Sequence, residues 1–487
     1  MKTLVLRDYQ DRVVDFNLLT PLCGDFLEPG LGKTPAALVT ILASLYDRFD
    51  THRWLVVGPP LVVTDSWPRQ LRMWSVFKDI SWRVFSAEDF GLQRERHIID
   101  ETHTKMGGLT YGGRAEKAAA KVEFRAMRET IHLCPKHLFP WLVKAYGKNF
   151  PYDGLVLDES LFVANSTSDQ HKAAWQVTQR LGAVERLILL NGTPDPNGLE
   201  QLHGQIRLLD GGARLGKTKT EFQDKFMVPD KQDRRTGRVW SWKPARGARE
   251  EVQGLIGDVC VALRADDHLD LPELVVNPIW VPLPNDARRA YDTIERDLVL
   301  QLADATVLAP SQGVLAAKLR QIANGAIYTE TGKFSVLSDF KLDRLEDLLA
   351  ETAQPILLAY QFKSDLERLF KRFGKAVVLL TDPCALDSFR AGTTRLGCIH
   401  ASAAEGVDGL QDASSTIVWL GATFNARHWI QFNARLRRDG SAASRVVVHM
   451  LLADDTVEER YFTEVIPQRV EEQDALLEAL KSRAHQG

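Results

Sequence analysis

The sequence predicts an α/β protein built on two parallel sheets, and three observations carry that reading. Short apolar runs alternate with helical patterns through the first two hundred residues, as strands joined by crossover helices require. The same alternation returns from about residue 275 to 452. Between an apolar run and a helical one stands a glycine turn, LEPGLGKT at 27–34, of the kind that opens a helix onto phosphate. At 487 residues the chain also exceeds the roughly 250–300 residues that one core covers, so two or three domains are expected.

In chain order, LCGDFL (22–27) reads as the first strand and PAALVTILASLY (35–46) as the helix behind the glycine turn. WLVV (54–57) stops at Gly58-Pro59-Pro60, LVL (155–157) at Asp158-Glu159-Ser160, and LILL (187–190) at Asn191-Gly192-Thr193-Pro194. Ligands of parallel sheets bind beyond the carboxyl ends of the strands, so these endings are where chemistry is expected. MGGLTYGGR (106–114) reads as an exposed loop before a helix around 115–130. The second region supplies strands at 275–281, 356–360, 377–380, 398–402, 416–420 and 446–451. The expected division is a first domain at 1–210, a basic linking insert at 211–272 and a second domain at 273–487.

Composition is that of a globular protein, 45% hydrophobic and 26% charged. Cys23, Cys134, Cys260, Cys384 and Cys398 are scattered without a C-x-x-C pair, which supports neither a zinc knuckle nor a disulfide framework. With no leader and no apolar run near ~18 residues, a cytoplasmic protein without a membrane partner is expected. The net charge of −3 excludes a protein that coats nucleic acid with its whole surface. Residues 211–249 nevertheless hold eleven bases against four acids, a local excess of seven.

Two segments compete as the phosphate loop. GGARLGKT (211–218) fits G-x-x-x-x-G-K-[ST] letter for letter, whereas LEPGLGKT has Leu27 in place of the first glycine. A phosphate loop needs a strand in front and a helix behind, and only 27–34 has both. Pro29, Gly30, Leu31 and Gly32 are thus the expected phosphate cradle, with Lys33 on the β- and γ-phosphates and Thr34 on Mg²⁺. Asp158, ending a second strand, is the expected metal ligand, and Glu159 the residue that orients or deprotonates water.

The order LRDYQ (6–10), EPGLGKT (28–34), LVVGPPLVV (55–63), LVLDES (155–160), LNGTP (190–194) and QFNARLRRDG (431–440) resembles the motifs of superfamily-two helicases. The resemblance is strongest to the Swi/Snf-type branch in its compact bacteriophage form. It implies two RecA-like P-loop domains with ATP in the cleft between them, and movement on nucleic acid driven by hydrolysis. It also implies that Gln10 reads the adenine edge with Arg7 and Tyr9 nearby. In the last motif Gln431, Ala434, Arg435 and Arg438 match the family pattern, and Arg435 and Arg438 would face the γ-phosphate. Asn191 departs from the usual Ser or Thr, and SAAEGVDGLQDAS (402–414) only approximates the family's glycine-rich segment, with Glu405, Gly406 and Gln411 its nearest equivalents.

Nucleic-acid contacts are expected from Lys105, Arg114, Lys117 and Lys121, and from Lys217, Arg234, Arg235 and Arg238, with Trp240 and Trp242 able to stack on bases or to anchor the segment. The expected function is an ATP- and Mg²⁺-dependent DNA translocase or helicase on duplex or branched DNA, in phage replication or recombination with phage replication proteins, inside a bacterial host. Two alternatives stay open: an RNA-directed helicase on the same fold, and a non-enzymatic nucleic-acid-binding protein built on a degenerate motor.

Overall fold

The computed structural model describes the chain apart from residues 91, 101–102, 112–127, 193, 196–197, 233–236, 238, 304–308, 330, 404–405, 424 and 472–487. The described chain divides into two compact units. One comprises Met1–Val228 with Trp242–Arg264; the other comprises Pro229–Ser241 with the residues from Ala265 on.

The first unit runs α1 (Asp8–Leu19), β1 (Leu22–Leu27), α2 (Lys33–Tyr46), β2 (Trp54–Gly58), β3 (Trp82–Val84), β4 (Ile131–Pro135), β5 (Gly154–Asp158), β6 (Arg186–Asn191), α3 (Glu200–Asp210), α4 (Lys219–Phe226), α5 (Ala248–Ile256) and β7 (Cys260–Leu263). Its strands form one parallel sheet in the order β7-β1-β6-β5-β2-β4-β3. Residues alternate between two cores: Leu155, Leu157, Leu187 and Leu189 point to one, Val156, Ile188 and Leu190 to the other. A sheet buried on both faces needs apolar residues at every position, which is why these strands read as unbroken runs. The order also sets β1, β6 and β5 side by side, so the turns that follow them are neighbours.

Two segments differ from expectation. Met106–Tyr111 is not a loop; it lies in the strand His103–Tyr111, which pairs antiparallel with Leu92–Asp100, and the Gly107-Gly108 pair falls where the register shifts between Arg94 and Arg96. The first unit also continues past 210. Phe222, Phe226, Val252 and Ile256 are spaced by four along α4 and α5 and enter its core, and β7 adds a strand beside β1. That helical spacing lies inside a strongly charged stretch, which hides it from composition.

The second unit contains β8 (Glu273–Val281), α6 (Phe340–Glu351), β9 (Ile356–Tyr360), β10 (Val377–Leu379), β11 (Leu396–His400), β12 (Thr416–Leu420), α7 (Ala426–Asn433) and β13 (Arg445–Ala453). Its parallel sheet has the order β8-β13-β12-β9-β11-β10. Buried Lys341 on α6 donates to Glu458 Oε2 at 2.6 Å and Asn324 Oδ1 at 2.8 Å. Glu458 in turn accepts from the amides of Ala422 and Ala453, which fastens the ends of β12 and β13 together.

Candidate nucleotide-hydrolysis site

The first unit's part of the candidate residues begins where β1 stops. Gly30 and Gly32 take left-handed φ values of 97° and 72°, conformations that favour glycine. A Cβ at Gly32 would lie 2.2 Å from Gln10 Nε2, so a side chain there would displace the Gln10 amide in addition to straining the backbone. Gly32 also stands at the cap of α2, and no side chain caps the helix's first turn. Lys33 Nζ donates to Leu27 O at 2.9 Å, at the mouth of the loop.

Gln10 braces this loop from behind. Its Nε2 donates to Leu31 O at 3.0 Å and its Oε1 accepts from Arg7 N at 3.0 Å, with the side chain buried. The residue expected at the adenine edge thus ties α1 to the phosphate loop. Thr34 follows in the first turn of α2.

β5 delivers the carboxylates. Asp158 is buried; its Oδ2 accepts from Trp67 Nε1 at 2.8 Å and its Oδ1 from Glu159 N at 2.9 Å. Burial, then the neighbouring Glu159 charge, push its carboxyl up to about 6. Glu159 adopts φ 55°, a left-handed conformation that costs a non-glycine residue roughly 1–3 kcal/mol. The turn after β6 closes the third side: a Cβ at Gly192 would stand 3.1 Å from Pro29 Cδ and 3.2 Å from Lys33 Nζ. Lys33, the DES turn and the NGTP turn therefore converge at three adjacent strand ends.

In the second unit, Gln431 is buried on α7 and its carbonyl accepts from Arg435 Nε at 3.1 Å. Both arginines of the last motif reach one carboxylate: Asp408 Oδ1 lies 3.1 Å from Arg435 Nη1 and 2.7 Å from Arg438 Nη2. Gly406 in the same segment takes φ 84°, and Glu405 lies outside the described residues. Asp408 and Trp67 were not singled out by sequence reasoning.

The chain matches the SNF2-related domain over residues 22–326, well over half its length and inclusive of the phosphate loop, the DES turn and the NGTP turn. It belongs to the SNF2-related family. Protein p41 of Acyrthosiphon pisum secondary endosymbiont phage 1 is 29% identical over 99% of this chain and 100% of its own length. The CHD3-type chromatin-remodeling factor PICKLE of Arabidopsis thaliana is 22% identical over 89% of this chain, which spans 31% of that larger protein. Among solved structures, the Sulfolobus solfataricus SWI2/SNF2 ATPase core in complex with dsDNA aligns over 100% of this chain and 96% of its own, at 16% identity and a TM-score of 0.41.

On this SNF2-related chain the expected nucleic-acid residues divide sharply. Arg114, Lys117, Lys121, Arg234, Arg235 and Arg238 lie outside the described residues, and Lys105 is placed only as part of the strand His103–Tyr111. Much of the remaining basic stretch is neutralised locally: Arg214 pairs with Asp210 and Asp258, Lys219 with Glu200, Lys225 with Glu251, and Arg249 with Asp195. Lys217 is exposed, Trp240 is exposed, and Trp242 packs against the first unit's core.

Proposed function

We propose that this SNF2-related chain is an ATP-dependent DNA translocase that tracks duplex or branched DNA during phage replication or recombination. The observation that carries this reading is the convergence of an open glycine loop, Lys33 and the Asp158-Glu159 pair at adjacent strand ends. The donor set fits a magnesium nucleotide: N–H groups at a helix N-terminus and an ammonium for phosphate, a hydroxyl and a carboxylate for the metal. When bound, Mg²⁺ neutralises charge on the phosphate oxygens.

Lys33 binds the β- and γ-phosphates, and Pro29, Gly30, Leu31 and Gly32 cradle them through the backbone. Thr34 and Asp158 hold the metal. Glu159 orients the attacking water and takes its proton, with its backbone fixed by the bond from its N–H to Asp158. Arg7 and Gln10 border the base end of the loop, and Gln431 borders the nucleotide from the second unit. Arg435 and Arg438 exchange Asp408 for the γ-phosphate when ATP binds, which links hydrolysis to the second unit.

Lys105, Arg114, Lys217, Arg234, Arg235 and Arg238 supply contacts to phosphate that read no sequence. The similarity to a phage protein over 99% of this chain supports a phage setting; a bacterial cytoplasm as the location and phage replication proteins as partners are part of the same proposal. No helix among the described residues is long and apolar enough to cross a membrane.

Displacement of a third strand from a triplex on duplex DNA tests the proposal, because it registers tracking without strand separation. Displacement is expected only with hydrolysable ATP. Arg435→Ala is expected to lower ATP turnover by ~10³-fold or more while DNA binding persists. Displacement that proceeds without hydrolysis would defeat the reading.

A further inference from the structure

Gln205 lies on α3 and belongs to none of the recognised motifs, yet it is fully buried and every polar atom of its side chain is engaged. Its Oε1 accepts from Ser160 Oγ at 2.7 Å and from Asn191 Nδ2 at 3.3 Å. Its Nε2 donates to Pro194 O and Gln201 O, both at 2.9 Å. One amide therefore grips the turn after β5 and the turn after β6 at once.

The preceding residue makes this reach possible. A Cβ at Gly204 would stand 2.0 Å from Ala164 O, so only glycine lets α3 lie this close to the segment that follows Glu159. Residues 204 and 205 thus act as a pair, one bringing the helix in and the other bonding across the gap.

We infer that Gln205 is a positioning residue of the hydrolysis site, holding Glu159 and Lys33 in register by clamping the DES turn to the NGTP turn. Glu159 sits in a strained backbone conformation, which persists only where neighbours over-determine it. Its N–H is fixed by Asp158, and the next residue, Ser160, is fixed by Gln205. At the other end, Asn191 and Pro194 flank Gly192, whose backbone packs beside Lys33 Nζ and Pro29. Arg249 on α5 holds the same turn from outside through Asp195, at 3.0 Å. The departure of Asn191 from the usual hydroxyl residue now has a structural counterpart: the long amide on α3 spans the distance between the two turns.

The inference rests on the ATPase reading, and the experiment separates the two. ATP turnover and KM are measured for the full chain with duplex DNA, for Gln205→Met, which keeps length while removing every hydrogen bond, for Ser160→Ala, and for the double variant. Amide hydrogen exchange is followed on the same proteins without nucleotide. Gln205→Met is expected to lower kcat at least about tenfold with KM for ATP within about twofold. The double variant is expected to be no worse than Gln205→Met, because both changes break one link. Exchange is expected to rise together in 159–161 and 191–195.

Wild-type kcat in Gln205→Met, multiplying losses in the double variant, or exchange confined to one turn would each overturn the clamp. Should Gln205→Met not fold, Gln205→Glu keeps the acceptor for Ser160 and removes the donor to Pro194; loosening of 191–195 alone supports the clamp, and no change overturns it. A wild-type chain without DNA-stimulated turnover would sink the ATPase reading, while the exchange result would still decide the clamp.

Discussion

Two segments of this chain carry the letters GKT, and they are built for opposite ends. In 27–34 a strand leads into the turn, Gly32 caps α2 without a side chain, and Lys33 stands beside the NGTP turn. In 211–218 a helix leads in: Gly211 ends α3 in a left-handed conformation, and Thr218 caps α4 by accepting from Glu221 N at 3.2 Å. Glu221 reaches back to accept from Lys217 N at 2.8 Å. The helix N-terminus that a phosphate would need is already occupied by the protein's own carboxylate. The pattern-perfect segment is a helix-to-helix joint, and we propose the imperfect one as the anion cradle, because geometry before and after the turn decides what its N–H groups face.

The largest effect that could break this contrast is on turnover. Lys33→Ala is expected to lower DNA-stimulated ATP hydrolysis by ~10²-fold or more, and Lys217→Ala to leave it within about twofold. Comparable losses in the two variants would erase the distinction.

A second effect sharpens it through stability. Asp25, in the strand beneath the first loop, is buried; its Oδ2 accepts from Asn17 Nδ2 at 2.9 Å. Burial pushes its carboxyl up to about 7. An unfolded-chain aspartate titrates near ~3.9, so between these values the folded state keeps a proton that the unfolded state releases, and stability falls as pH rises through that window. Asp25→Asn is therefore expected to stabilise the first unit at pH 8 by on the order of 2–4 kcal/mol and to change little at pH 4, as read by denaturant midpoints. Equal shifts at both pH values would show that the carboxyl does not titrate there.

The smallest effect belongs to the second segment. Thr218→Ala removes the cap of α4 and is expected to cost ~1 kcal/mol with ATP turnover unchanged. A loss of nucleotide affinity in this variant would return 211–218 to the list of nucleotide sites.

Much of the architecture could be read from sequence because a parallel sheet buried on both faces writes itself as apolar runs, and because its chemistry sits on the turns that end them. Lys33, Asp158 and Glu159 were legible as residues placed at such ends. Trp67, Gln205 and Asp408 were not, since their meaning lies in partners 91, 45 and 27 residues away. Nothing local marks Gln205, which reads as one more polar residue on a helix until Gly204 draws that helix inward. β7 escaped notice for a related reason: four apolar residues at 260–263 become a strand only beside β1.

The central claim, that this SNF2-related chain turns over ATP in response to DNA, is tested most directly by ATP hydrolysis of the full chain measured side by side with duplex, forked and single-stranded DNA and with RNA. Duplex or forked DNA is expected to raise turnover well above the nucleic-acid-free rate, and Lys33→Ala to abolish the rise. Stimulation by RNA but not DNA, or no turnover with any of them, would contradict it.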